Sequence, residues 1–258
     1  MDKIKKILID NCIESLSMVM VPALKEQEIQ WGNRKQTIKI VGYVRKPTLP
    51  PNEKWKQYQV DCLPTVARLT RDKQLDLYIY NEILFEGWQR PGGFPRNTIG
   101  NIFNGIEFNH CNAPIERSRI FQTEIGKYIQ RNQVIDYCKF LIHSNVEILA
   151  ENPAIQQRFP QNELNNLRNV SRYRDLCKGL SEKHYPDALH LWAAEVNGLD
   201  YFLTTDHRFI NAMIMTKKIE LSCKPISPED LLKVYSISEL DPFPFEQDQF
   251  YTVFGTPG

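Results

Sequence analysis

The sequence predicts an α/β fold built on a central, mostly parallel sheet, and three observations carry that expectation. Short apolar runs of the kind buried in parallel sheets recur along the chain, at ILI (residues 7–9), LDLYIY (75–80) and DYFLTT (200–205). Segments with helical spacing follow these runs, so the order is strand then helix, repeated. With 258 residues, 42% of them hydrophobic, the chain can bury a sizeable core, and residues 1–258 read as one domain carrying insertions.

The first strand is Ile7-Leu8-Ile9, ended by the turn formers Asp10-Asn11. Residues 12–30 are expected to be helical despite Pro22. Residues 37–44 alternate like a strand and run into the proline-rich KPTLPPNEK. A helix is expected over 61–72, a second core strand over 75–80, and another helix from Asn81 to Trp88. QRPGGFPRNTIG then breaks regular structure. Residues 20–60 and 88–120 read as insertions. Residues 114–149 and 161–183 carry charged and apolar side chains at helical spacing.

Pro186 fits the first turn of a helix whose stripe is Ala188, Leu191, Trp192 and Val196, ended by Asn197-Gly198. A strand over 200–205, a helix from about 207, a short strand over 224–226 and a helix opening at SPEDLL (227–232) complete the order. The aromatic and proline-rich tail DPFPFEQDQFYTVFGTPG is expected to pack on the surface.

Composition narrows the function classes. The 32 basic and 31 acidic side chains leave a net charge of +1, so no global field recruits nucleic acid or membrane, and a polyanion would be held by a local patch. The six cysteines form no C-x-x-C pair, which argues against a zinc ribbon and a disulfide framework and for a reduced, cytoplasmic setting. No stretch approaches eighteen apolar residues, and the short apolar run near the start is too brief for a signal sequence, so no membrane association is expected.

The chemistry-bearing residues are acids. Ligands of an open parallel sheet bind outside the carboxyl ends of its strands. There the first strand runs into Asp10, the 200–205 strand into Asp206, and the 75–80 strand into a helix start with Glu82 and Glu86. Asp187 opens a helix, where the dipole favours a carboxylate. Taken singly, an Asp after a strand is most often a cap or turn residue. Together, such carboxylates repel one another unless a cation lies between them, and oxygen ligands suit Mg²⁺ or Mn²⁺.

The stretch YPDALHLWAAEVNGLDYFLTTDHRFI resembles the C-terminal signature of PIN-domain nucleases, an Asp-Ala-x-His helix leading to a strand that ends Thr-x-Asp-x-x-Phe. KKILIDNCI, LYIYNEILFEGW and CKPISPEDLL resemble that family's first strand, its second strand with the following helix, and its last strand and helix. The resemblance implies a PIN-like three-layer α/β/α sandwich. It further implies metal-assisted phosphodiester hydrolysis by Asp10, Glu86, Asp187 and Asp206, with Asp10, Asp187 and Asp206 as metal ligands and Glu82 a rival to Glu86. RNA, single-stranded or structured, is the implied substrate. DNA stays open, since no motif here reads a 2′-OH. A toxin-antitoxin or stress-defence role, an antitoxin partner and a homodimer are compatible with it. The chain is longer than the small toxin-type members, and its insertions leave substrate and partner open.

Other candidates surround these acids. Thr204 and Thr205 could orient a carboxylate or phosphate. Arg90, Arg96 and Arg172 are candidate phosphate contacts, as are Arg117, Arg119, Arg168, Arg174 and Lys183, while Trp88, Phe94 and Tyr185 could stack bases. His190 can share a ligand with Asp187, although a satisfied structural histidine is commoner, and His207 is either a substrate contact or exposed. One rival function keeps the fold but makes it an inert nucleic-acid-binding or scaffolding module. An Asp-x-Asp phosphatase is disfavoured because the second residue after Asp10 is Cys12.

Overall fold

The computed structural model describes residues 3–89, 100–216 and 219–252. Its elements are β1 (Lys5–Ile9), α1 (Asn11–Ser17), β2 (Met20–Trp31), β3 (Arg34–Arg45), α2 (Lys54–Arg71), β4 (Leu75–Ile79) and α3 (Asn81–Trp88). The middle holds β5 (Asn109–His110), α4 (Ile125–Tyr128), α5 (Arg131–His143), α6 (Pro153–Gln156), α7 (Gln161–Arg168) and α8 (Ser171–Cys177). The last part holds α9 (Tyr185–Val196), β6 (Tyr201–Leu203), α10 (His207–Asn211), β7 (Lys224–Ile226), α11 (Pro228–Val234) and β8 (Phe250–Tyr251).

The central sheet has five parallel strands in the order β5-β4-β1-β6-β7, flanked by helices as in a three-layer α/β/α arrangement. Ile7, Leu8 and Ile9 are fully buried because β1 lies at the centre, between β4 and β6. α2 packs on β4 and on α11, while α9 packs on β6, α5 and α8. The chain passes from β1 outward to β4 and β5, then returns to the other side of β1 for β6 and β7. That reversal makes the carboxyl ends of β1 and β6 a topological switch point, where a crevice opens.

Residues 12–30 do not form the expected single helix. α1 ends at Ser17, whose hydroxyl donates to the Glu14 carbonyl at 2.7 Å, and residues 20–31 pair antiparallel with 34–45 instead. Pro22 has no N–H for a helix, whereas β2 is an edge strand, where proline is tolerated. Gly32, at φ +60°, supplies the two-residue turn. Tyr251 of the tail is buried where β8 pairs with β3, so the tail contributes a strand to this second, three-stranded sheet and not merely surface packing.

The 61–72 helix begins earlier, at Lys54. The expected helical middle is broken into short helices and turns, with residues 114–124 outside any α-helix. Among the described residues no helix is long and apolar enough to cross a membrane.

Candidate functional site

At the carboxyl ends of β1 and β6 lies a cleft of about 800 Å³, lined among others by Asp10, Glu86, Asp187 and Asp206. Asp10 occupies the N-cap position of α1 without capping it. Its Oδ2 instead accepts the Thr204 hydroxyl at 2.6 Å and the Cys12 thiol at 2.9 Å, and its backbone N–H donates to the Leu203 carbonyl. Asp206 divides its carboxylate: Oδ1 caps α10 through the Phe209 N–H at 2.9 Å, and Oδ2 lies 3.4 Å from His184 Nδ1. Asp187, in the first turn of α9, meets the same His184 nitrogen at 3.0 Å. Glu86 is brought to the cleft by α3, which packs on α1.

Glu82 does not enter the cleft. It is 2% exposed and receives three hydrogen bonds from the Arg117 guanidinium, the shortest 2.8 Å, with Arg117 also lying 3.7 Å over the Tyr128 ring. Of the two acids one helical turn apart, Glu86 is the one presented. His190 bridges Glu86 Oε1, 3.2 Å from its Nε2, and the Tyr80 hydroxyl, 2.7 Å from its Nδ1. Both ring nitrogens are thereby engaged, the satisfied structural role weighed from the sequence.

Burial pushes the Asp187 carboxyl up to about 6, the neighbouring Asp10 and Asp206 add to the rise, and the His184 hydrogen bond opposes it. His184 is raised in turn, chiefly by that hydrogen bond. Burial works against a charge on His190, but Glu86 beside it overrides this, with Asp10 and Asp187 contributing, and places it at about 9. Because the Glu86 carboxylate only accepts, His190 Nε2 is the donor of this pair whichever charge the ring carries. Two groups bring donor atoms within 4.8 Å of one another: Asp10, Glu86 and His190, and His184, Asp187 and Asp206. With His190 committed as a donor to Glu86, the first group keeps the Asp10 and Glu86 carboxylates, and the second offers the Asp187 and Asp206 carboxylates with the His184 imidazole. That set fits Mg²⁺ or Mn²⁺, and its nitrogen favours the transition metal.

Thr204 is fully buried and holds Asp10, while Thr205 lines the cleft and donates to the Cys12 sulfur at 3.2 Å. Arg172 departs from the expected phosphate contact. It does not line the cleft, because its guanidinium is taken by Glu195, with Nε donating at 2.8 Å, and by the Glu220 carbonyl. Arg119, Arg168 and Arg174 are likewise paired, with Glu163, Glu151 and Glu147. Arg90, Arg96 and Phe94 lie outside the described residues. Trp88 packs edge-on against Phe85, and Tyr185, which is half-buried, does not line the cleft. Lys183 does line it.

Four basic lining residues were not singled out from the sequence: Lys56, Arg131, His184 and Arg208. Only His184 had a local signal, a histidine one turn before Asp187. No protein-family model, curated protein or solved structure matches this chain, so its function has to be read from the site itself.

Proposed function

We propose that this chain is a divalent-metal-dependent nuclease of the PIN type that hydrolyses phosphodiester bonds, with RNA as its substrate. The observation that carries this reading is the meeting of Asp10, Glu86, Asp187 and Asp206, from four separate elements, in one cleft that Lys56, Arg131, Lys183 and Arg208 also line. Acids hold cations, and the lysines and arginines attract phosphates. The parallel sheet with its switch point is the framework that the resemblance implies.

Asp10, Asp187 and Asp206, with His184, would hold the cation, and Glu86 completes the pocket. A divalent cation bound there supplies Lewis acidity to the phosphodiester and lowers the pKa of water. The chain's own contribution is placement. Thr204 fixes Asp10, α10 fixes Asp206, and His190 fixes Glu86. Lys56, Arg131, Lys183 and Arg208 orient the phosphate backbone.

The rival, an inert nucleic-acid-binding module, draws on the structural duties of two of the acids, since Asp206 caps α10 and Asp10 is tied to Thr204. Cleavage of labelled single-stranded RNA and DNA with Mg²⁺, Mn²⁺ or chelator separates the two. The nuclease reading expects metal-dependent cutting of RNA that Asp10→Ala and Asp206→Ala each reduce at least about a hundredfold, the scale of losing a charged transition-state contact. Cutting of DNA alone corrects the substrate. Binding without cutting moves the inert module to the front, and variants that cut like wild type remove the site.

A further inference from the structure

We propose that Trp55 and His207 form a shelf on one lip of the cleft on which an unpaired nucleobase stacks. This inference rests on the nuclease reading and identifies the side chains that seat a base beside the acids. Trp55 lies in the first turn of α2 and is 38% exposed. Its ring meets His207 edge to face, with centroids 5.2 Å apart and planes at 62°. His207 lines the cleft, which ties the tryptophan to the site.

Three features make this pair a base platform. An edge-to-face contact leaves each ring with a face it does not use, and a π-face is what a nucleobase of any identity can stack on. A cation adjoins each ring in sequence: Lys56 follows Trp55, Arg208 follows His207, and both line the same cleft. Cations interleaved with aromatics are what a single strand requires, phosphates and bases being read in alternation. His207 is also steadied, since the Asn211 side-chain nitrogen lies 3.2 Å from its Nδ1.

Trp55 belongs to residues 20–60, the segment read as an insertion, and it lies outside every stretch that carries the PIN resemblance. Trp55, though not His207, is thus this chain's own addition to the seat for an unpaired base.

The test is fluorescence anisotropy with a labelled decauridylate and a labelled abasic ribose-phosphate decamer, in chelator so that neither is cut. Trp55→Ala is expected to weaken decauridylate binding about tenfold, the scale of one lost stacked base, and to leave the abasic probe unchanged. Trp55→Phe, which keeps a ring, should restore most of the binding. Lys56→Ala and Arg208→Ala should weaken both probes alike, each lowering the slope of log affinity on log salt by about 0.7.

Melting temperatures matching wild type establish that the variants fold. A Trp55→Ala protein that binds decauridylate like wild type, or loses the abasic probe equally, overturns the shelf. If wild type still cuts RNA in Mn²⁺ in that case, the nuclease reading survives it. A wild-type protein that neither binds nor cuts either strand type removes both.

Discussion

The Thr204 hydroxyl donates a 2.6 Å hydrogen bond to Asp10 Oδ2, joining the ends of the two strands that flank the switch point. Thr204 Oγ1 also accepts the Asp206 N–H at 3.1 Å, so one buried hydroxyl sets the position of two cleft acids. Thr204→Val keeps the β-branched shape and removes this function. The expected outcome is at least a tenfold loss of metal-dependent cleavage with a stability cost of about 1–3 kcal/mol, because the Asp10 oxygen and the Asp206 N–H both lose this partner. Thr204→Ser should recover most of the activity. Equal cleavage by the valine variant and wild type would show that Asp10 needs no such orienting partner.

Glu82 and Glu86 should separate cleanly on substitution. Arg117→Ala leaves the Glu82 carboxylate buried without its partner, which costs about 3–5 kcal/mol, while the double change Arg117→Met with Glu82→Leu should regain most of it. Urea unfolding measures both. Glu86→Gln takes the carboxylate from the buried His190, so it should lower the urea midpoint as well as weaken Mn²⁺ binding by calorimetry, whereas a folded Glu82→Gln protein should bind Mn²⁺ like wild type. The reverse pattern would exchange the two assignments.

The limits of sequence reasoning here follow from the range of the interactions. β1, β4 and β6 were legible because each is an apolar run closed by turn formers, which also placed Asp10 and Asp206 at strand ends. Choosing between Glu82 and Glu86 was not a local matter, since Arg117, 35 residues away, makes the difference. The same holds for Arg172, claimed by Glu195 from 23 residues away, and for His184, whose contact with Asp206 forms only once α9 and β6 are folded. β2 was mistaken for helix because its pairing with β3 outweighs local propensity, although Gly32-Asn33 between two strand-length segments was a hairpin signal.

Gly42 should be the residue that admits the tail to the small sheet. A Cβ added there would stand 2.3 Å from the Phe250 ring and 2.4 Å from the Tyr251 carbonyl oxygen, too close for either to remain in place. Gly42→Ala is expected to undock β8 and lower stability by about 1–3 kcal/mol, the range for overpacking. Limited proteolysis should then cut between residues 236 and 252 faster than in wild type. Unchanged cleavage kinetics would mean that the tail is held by other contacts, such as the Arg68 ion pair to Asp241.

Asp187 should couple pH, metal and stability. Its carboxyl is raised from an ordinary 3.8 to about 6, so the folded protein binds this proton more tightly than the unfolded chain does. The resulting stabilisation is fully present below pH 3.8 and is lost as pH rises through about 6, amounting to at most about 3 kcal/mol. A cation competes with the proton for the same oxygens. Mn²⁺ should therefore raise the melting temperature more at pH 7.5 than at pH 5, and its affinity should fall as pH drops below about 6. His190 makes a separate contribution with the same sign, lost between its ordinary 6.5 and about 9, so the scan should stop at pH 7.5 to limit its weight. Asp187→Asn, which cannot ionise, should melt higher than wild type at pH 7.5 without metal and gain less from Mn²⁺. An equal Mn²⁺ shift at both pH values, or an asparagine variant that follows wild type throughout, would place the cation away from Asp187 and leave its raised proton affinity a consequence of burial alone.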